Sequence, residues 1–207
     1  SGVYQFDIHT PNCVFTDVYF GKPGRHNLLN ALAAFTMASQ VTNRHELLIS
    51  ALSTFKGVER RFSYQIRTES LVYIDDYAHH PTEITAVAAA IREMHPGKEI
   101  LAVFQPHLFS RTRDFGPEFA QSLAVFDAVW LLDIYPAREQ PITGITSQLL
   151  INQISNSRKR QIVKTDLINE IRKFKPEILL TIGAGDIGLL VEPIKQALLH
   201  ETELEHH

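Results

Sequence analysis

The 207 residues carry 20 Lys and Arg against 23 Asp and Glu, a net charge of -3 at pH 7, and are 44% hydrophobic and 21% charged. That balance fills a globular core of one or two domains and gives no sign of a nucleic-acid partner, which needs a basic face. No apolar run approaches the roughly 20 residues of a membrane span and no export signal opens the chain, so the single Cys13 fits a reducing cytoplasm and no membrane partner.

Residues 3–9 and 13–20 read as two strands joined by the turn residues Thr10, Pro11 and Asn12. The breaker cluster GKPGRHN follows, and then the Ala/Leu-rich run LLNALAAFTMAS, helical by composition and spacing. A second helix is expected over 44–55, closed by Lys56-Gly57. Two strands and two helices leave unpaired edges, so 1–57 does not complete a domain by itself.

Beyond Gly57 the pattern changes. FSYQIR and LVYI are short β-rich runs, and helices and strands then alternate. The expected order is a helix at 81–95, a strand at 99–104, a helix at 114–125, a strand at 128–132 and a helix at 147–155. A strand at 161–163, a helix at 166–174, a strand at 177–182 and a final helix from Ile187 complete it. Continuous apolar strands between helices predict an α/β fold with a mostly parallel sheet covered on both faces. The domain reading is therefore 1–57, 58–203 and a tag remnant at 204–207, so that His206 and His207 are left out of any metal argument. The start at Ser1, without Met and directly before a strand, reads as part of a longer protein.

Four polar clusters follow four of these strands: DDYAHHPTE after LVYI, QPHLFSRTRD after ILAVF, DIYPAREQP after VWLL, and GAGD after ILLTI. In a parallel sheet all four loops emerge at the same edge, where open α/β folds bind ligands. One such loop would pass as a solvated turn; four aimed at one rim favour a site. In the first loop, Pro81 and Glu83 suit the opening turn of a helix. In the second, Arg111 and Arg113 stand two apart and in an irregular loop would grip a carboxylate or phosphate. Arg113, beside Asp114, reads equally as a surface charge, and Arg111 is the better candidate.

GAGDIG matches a dinucleotide fingerprint, but it follows the last strand, with too little chain beyond for the next strand and its ribose-binding acid. Its glycines read instead as a tight turn with close backbone approach to a ligand, and Asp186 as the start of the last helix. DDxxHH suggests a metal site only as a minority reading, because the adjacent His79 and His80 cannot both readily point inward with Asp76. GRHNLLNA places Asn27 and Asn30 on one face of a helix start, as candidate polar groups or, more plainly, as a cap and a buried hydrogen bond. VERRF offers Arg60 and Arg61 at the domain boundary, with a solvated linker charge the plain reading of Arg60.

Taken in order, GRHNxLNA, FxGVxRRF, DDYAHHPTE, FQPHxFSRTRD, DIYPAREQPIxG and GAGD resemble the Mur ligases of peptidoglycan synthesis, over nearly the whole chain from Gly24 on. Within that family the intact DDYAHHPTE and AREQP stretches favour the alanine-adding branch over the one that recycles a murein tripeptide. The resemblance implies the end of a central ATPase domain followed by a complete, Rossmann-like C-terminal domain, with ATP, L-alanine and UDP-N-acetylmuramate as small-molecule substrates. It implies Mg2+ as well, held by residues outside this sequence, since the Gly-rich phosphate loop ending in Lys-Thr/Ser is absent. On those grounds the chain by itself is expected to be inactive.

Carried over by motif, His26, Asn27 and Asn30 would stand near the adenine, Arg61 would contact the nucleotide and Asp76 would bind the ribose. Tyr77, His79, His107 and Arg111 would face the amino acid and an acyl phosphate. The chain departs from the family pattern at Ala78, where Gly is common, and at Leu108, where a basic residue is frequent. Two other classes remain beside this reading: a stand-alone nucleotide-binding module resting on GAGDIG, and a metal-dependent hydrolase resting on DDxxHH.

Overall fold

The computed structural model describes residues 4–204; Val3, expected to open the first strand, and 205–207 of the expected tag remnant lie outside the described residues. The chain divides into two compact units, one formed by Ser1–Glu59 with Ala89–Pro96, the other by Arg60–Ala88 with Gly97–His207.

In the first unit, β1 (Tyr4–His9) and β2 (Val14–Phe20) pair antiparallel with an irregularity between Phe6 and Ile8. α1 (Arg25–Ala38) and α2 (His45–Thr54) follow. Ile8, Val18 and Phe35 form a small buried cluster against which Phe15, Leu48 and Leu52 pack. α2 stops before the breaker that was expected to close it, because Phe55 already turns extended.

The second unit is built on a six-stranded sheet of order β3-β4-β8-β5-β6-β7. β3 (Ser63–Arg67) runs antiparallel to β4 (Val72–Asp76) at one edge. β8 (Ile178–Ile182), β5 (Ile100–Phe104), β6 (Ala128–Leu131) and β7 (Lys159–Gln161) are parallel to β4 and to each other. The four inner strands are buried along their whole length, as near-continuous apolar runs require when helices cover both faces. Alternation then assigns the faces. Tyr73, Leu101, Val103, Trp130 and Leu179 pack with α7 (Lys164–Phe174) and α8 (Val191–Leu204). The opposite register carries Phe104 onto Phe119 of α5 (Gly116–Leu123), with ring centroids 5.5 Å apart. Two further helices are α3 (Pro81–Met94) and α6 (Ser147–Gln153).

Further boundaries differ from the sequence reading. The helix expected from Asp114 begins earlier, as α4 (Phe109–Asp114), and breaks at Phe115 before α5, where Pro117 needs no donor in the first turn. The strand expected at 161–163 is Lys159–Gln161, since pairing with Val129–Leu131 selects the more polar residues at this edge. A 3-10 turn, Asp186–Leu190, precedes α8. Among the described residues no helix is long and apolar enough to cross a membrane.

Candidate functional site

Because β4, β8, β5 and β6 are parallel, the four polar loops meet at the carboxyl ends of the strands. Aromatic rings run across three of them. Tyr77 and His79 lie 5.4 Å apart, His79 and His107 6.2 Å, and His107 stacks on Tyr135 at 5.7 Å. The last pair is fixed by main chain: His107 and Tyr135 form a parallel bridge, the Tyr135 N–H donates to the Pro106 carbonyl and the Leu108 N–H to the Tyr135 carbonyl. The strand pairing of β5 and β6 thus continues into their loops.

The two acids at the end of β4 do different work. Asp75, fully buried, accepts from Arg60 Nε at 3.0 Å and from the Thr181 hydroxyl at 2.7 Å, while Arg60 Nη2 donates to the Gly183 carbonyl at 2.7 Å. Arg60 is therefore a clamp between β4 and β8, which corrects its reading as a solvated linker charge. Gly188 makes room for it: a Cβ there would stand 2.6 Å from the Arg60 guanidinium. Asp76 is 4% exposed and accepts the Phe62 N–H through Oδ2 and the Ala78 N–H through Oδ1, both at 2.7 Å. Burial raises its pKa to about 6, outweighing those two N–H groups and the Arg61 charge. Both oxygens of this expected ribose ligand are engaged by backbone.

Beyond Asp76, the Arg60 and Arg61 guanidiniums lie 5.2 and 5.7 Å from the Tyr77 ring centroid. His79 Nδ1 donates to the Tyr77 carbonyl at 2.9 Å. Glu83 accepts the N–H groups of His79 and His80 at 2.8 and 3.1 Å, reaching back over the first turn of α3 as a capping acid does. Against a burial penalty, those N–H groups and the His79 and Arg61 charges keep its pKa below the usual value. The two histidines diverge: His80 turns to Phe115, ring centroids 4.8 Å apart, and to Thr82. Among the described residues no group of three His, Cys, Asp or Glu side chains is placed to hold a metal ion.

In the second loop the structure separates the arginines. Both lie on α4, where residues two apart face different sides, so they do not form the fork expected of an irregular loop. Arg113 pairs with Asp114 at 2.7 Å, half-exposed, whereas Arg111 reaches toward the His79 carbonyl at 3.5 Å. His107 carries the one buried side-chain polar atom that has no hydrogen-bond partner among the described residues, Nδ1. Burial, then the charges of Arg111 and His79, push its pKa down, so it is held as neutral imidazole. An unmet buried nitrogen costs free energy in the absence of a ligand and is available to one.

The fourth loop is tied down by side chains of its neighbours. Gln105 donates to Asp186 at 2.7 Å and accepts the Ile187 N–H at 2.8 Å, and Lys164 Nζ meets both Asp186 oxygens at 2.5 and 2.6 Å. A Cβ on Gly185 would collide with the Gln105 amide oxygen and stand 2.7 Å from the Tyr135 Cβ. The glycine serves the packing of this loop on its neighbours.

His26, Asn27 and Asn30 belong to the first unit. Asn27 is not the cap: α1 starts at Arg25, and the Asn27 amide donates to the Pro23 carbonyl at 2.7 Å. Asn30 is exposed, so the buried hydrogen bond is not its role either. Sequence reading passed over Tyr135, Ser110 and Glu139; the last joins the second and third loops, accepting the Ser110 N–H at 2.9 Å and the Ser110 hydroxyl. The signal for Tyr135 and Glu139 was their place in DIYPAREQP, which named the motif without saying which side chain turns inward.

Residues 60–190, which carry all four loops, match the family model described as Mur ligase, glutamate ligase domain. The chain belongs to the Mur ligase family. It is 54% identical over 197 residues to the UDP-N-acetylmuramate–L-alanine ligase of Flavobacterium johnsoniae, covering 95% of this chain and 44% of that protein. The ligase of the same name from Christiangramia forsetii is 56% identical over 201 residues, covering 97% and 44%. The chain thus spans less than half the length of these relatives. Among solved structures, UDP-N-acetylmuramate-alanine ligase from Thermotoga maritima shares the fold with a TM-score of 0.69 at 24% identity, over 92% of this chain and 41% of that one. A murein peptide ligase from Psychrobacter arcticus does so with a TM-score of 0.64 at 22% identity, over 90% and 39%.

Proposed function

We propose that the chain is the C-terminal part of an ATP-dependent ligase that joins L-alanine to UDP-N-acetylmuramate, with residues 1–57 ending a central ATPase domain and 58–203 forming the C-terminal domain. The observation that carries the reading is identity of 54% over 95% of the chain with a relative bearing that activity in its name. The rim agrees with it in residue types. Arg61 and Tyr77 form a cationic and aromatic surface suited to a nucleotide, and His79, His107 and Arg111 offer hydrogen-bonding groups to an amino acid and a phosphorylated intermediate.

In such a ligase the sugar's lactyl carboxylate attacks the γ-phosphate of ATP and releases ADP. The alanine amine then attacks the acyl phosphate carbonyl and expels phosphate. The protein's part is positioning and charge stabilisation, and no nucleophilic side chain is required. On this chain Arg111 holds the alanine carboxylate or the acyl phosphate, and the neutral His107 Nδ1 takes up a hydrogen bond that the fold leaves unmet. Asp76 keeps its proposed place at the ribose: each oxygen accepts one backbone N–H, which fixes the segment before β3 to the loop after β4, and has a further lone pair for a hydroxyl. His26, Asn27 and Asn30 keep their proposed place near the adenine. The Mg2+ of the family is expected to be held by residues outside this sequence, and no step is assigned to it here.

The test is alanine- and ATP-dependent phosphate release with UDP-N-acetylmuramate as acceptor, in a full-length enzyme carrying this sequence and in the chain alone. The expected result is turnover by the former only, since the chain alone has no phosphate loop to neutralise the transferring phosphoryl group. Release that depends on a murein tripeptide and not on alanine would transfer the assignment to the recycling branch, and turnover by the chain alone would remove the inactivity claim.

A further inference from the structure

The geometry points to Glu139 as a positioning residue for Arg111 and His107, an inference that rests on the ligase reading of this rim. α4 begins at Phe109 behind Leu108, whose side chain cannot cap and whose backbone sits at φ 74, a region a leucine enters only when its surroundings enforce it. The missing cap comes from another loop. Glu139 accepts the Ser110 N–H at 2.9 Å and also the Ser110 hydroxyl, and its own N–H is tied to the Pro136 carbonyl at 2.9 Å. The Ser110 hydroxyl, then the Ser110 N–H, hold its pKa below the usual carboxylate value, so at neutral pH it is an anion at a helix start.

The consequence is a two-point clasp between the loops after β5 and β6. At one point Tyr135 pairs with His107 and Leu108 through main chain; at the other Glu139 pins Ser110. Arg111 is the next residue after Ser110, and His107 lies three before it. Between the two points the chain has little freedom, which sets where both side chains emerge. Without Glu139 the first turn of α4 loses its acceptor and the bulky Leu108 is free to leave its unfavourable conformation. Arg111 then moves relative to His107.

The test is a double-mutant cycle in a full-length enzyme carrying this sequence, with Glu139→Ala, Arg111→Ala and the pair. Misplacement of a positioning contact typically costs one to two orders of magnitude, so Glu139→Ala should lower kcat/KM for alanine about ten-fold or more while KM for ATP holds. In the Arg111→Ala background the same change should add less than about two-fold, because a residue that acts through Arg111 has nothing left to position. Glu139→Gln should restore most of the activity, its oxygen accepting the Ser110 N–H and its amide donating to the hydroxyl, which turns to accept. Additive losses, a loss in KM for ATP, or a Gln variant as impaired as Ala would overturn the inference in an enzyme whose wild type is active. A wild type without alanine-dependent turnover would instead remove the ligase reading itself. Should Glu139→Ala fail to fold, Ser110→Ala removes only the hydroxyl and carries the same cycle.

Discussion

At the amino-terminal end of the parallel strands, beside β6 and β7, a cavity of about 370 Å³ is lined by Arg158, Lys159, Arg160 and Lys173 over Trp130 and Phe174. At the carboxyl end, the rim of His79, His107 and Arg111 holds fewer charges in a less obvious arrangement. By charge density the first region is the stronger candidate for binding an anion. Its cations, however, already have partners. Arg158 meets Glu99, Lys159 the Ile154 carbonyl, and Arg160 and Lys173 share Glu170 at 2.9 and 2.7 Å. The guanidiniums of Arg160 and Arg158 also lie over the rings of Trp130 and Phe174, at 4.1 and 5.0 Å. The carboxyl rim differs in carrying unmet capacity, a buried imidazole nitrogen without a partner, beside a carboxylate whose burial its two N–H donors do not offset. What separates a site from a stabilised edge is hydrogen-bonding potential the fold has not used, not the number of charges.

The sharpest way to break that comparison is to titrate the rim. Burial pushes the Asp76 carboxyl from its ordinary value of 3.8 up to about 6. Between those values the folded state binds more protons than the unfolded one, so stability from this group is complete below about pH 4 and is lost as pH rises through 6. A shift of this size corresponds to roughly 3 kcal/mol at most. Urea denaturation of the wild type and of Asp76→Asn across pH 4–7 isolates it, because acids with lowered pKa values such as Glu83 and Asp186 are common to both proteins. The wild type's advantage over the variant should shrink across that range. A difference that stays flat would mean that burial does not raise the Asp76 pKa, and the rim would lose one feature that sets it apart.

Arg111→Lys sharpens the comparison on the activity side. A lysine keeps the charge but presents a point donor where a guanidinium presents a planar fork, so it should not rescue function. Losing a charge-assisted hydrogen bond costs about 1.5–3 kcal/mol, a roughly ten- to hundred-fold fall in kcat/KM for alanine in the full-length enzyme. Arg113→Lys, one turn face away and paired with Asp114, should change it less than about two-fold. Steady-state kinetics with alanine varied at saturating ATP distinguishes the two, and equal effects would return Arg111 to the surface.

Much of this was legible in the sequence because its causes are local. Apolar runs such as ILAVF and ILLTI fix buried parallel strands by themselves, and parallel strands place every following loop at one end. Hence Tyr77, His79, His107 and Arg111 could be assigned to one rim from their positions after strands. The parts that stayed hidden depend on partners far along the chain. Arg60 looked like a linker charge because its acceptors are 15 and 123 residues away, at Asp75 and Gly183. Glu139 was invisible as a cap because capping patterns are sought within three residues, and Ser110 lies 29 residues upstream. The early start of α4 was missed for the same reason, since Leu108 offers no local start signal.

The smallest effect is expected at the amino-terminal end, from Arg160→Ala. Its guanidinium covers the Trp130 indole, which is 3% exposed, and the aliphatic stem shares that shielding. A cation–π contact at a partly exposed site contributes about 0.5–1 kcal/mol, which for a chain of this size lowers Tm by roughly 1–4 °C. The loss should persist in high salt, because packing on the ring survives screening that weakens the pair with Glu170. KM for ATP and for alanine in the full-length enzyme should not move, since the residue sits at the opposite end of the strands from the rim. Thermal melts at low and high ionic strength, with the same kinetics as for Arg111, check both halves. A change in either KM at unaltered Tm would mean that the cationic cavity takes part in binding, and the contrast between the two ends of the sheet would no longer hold.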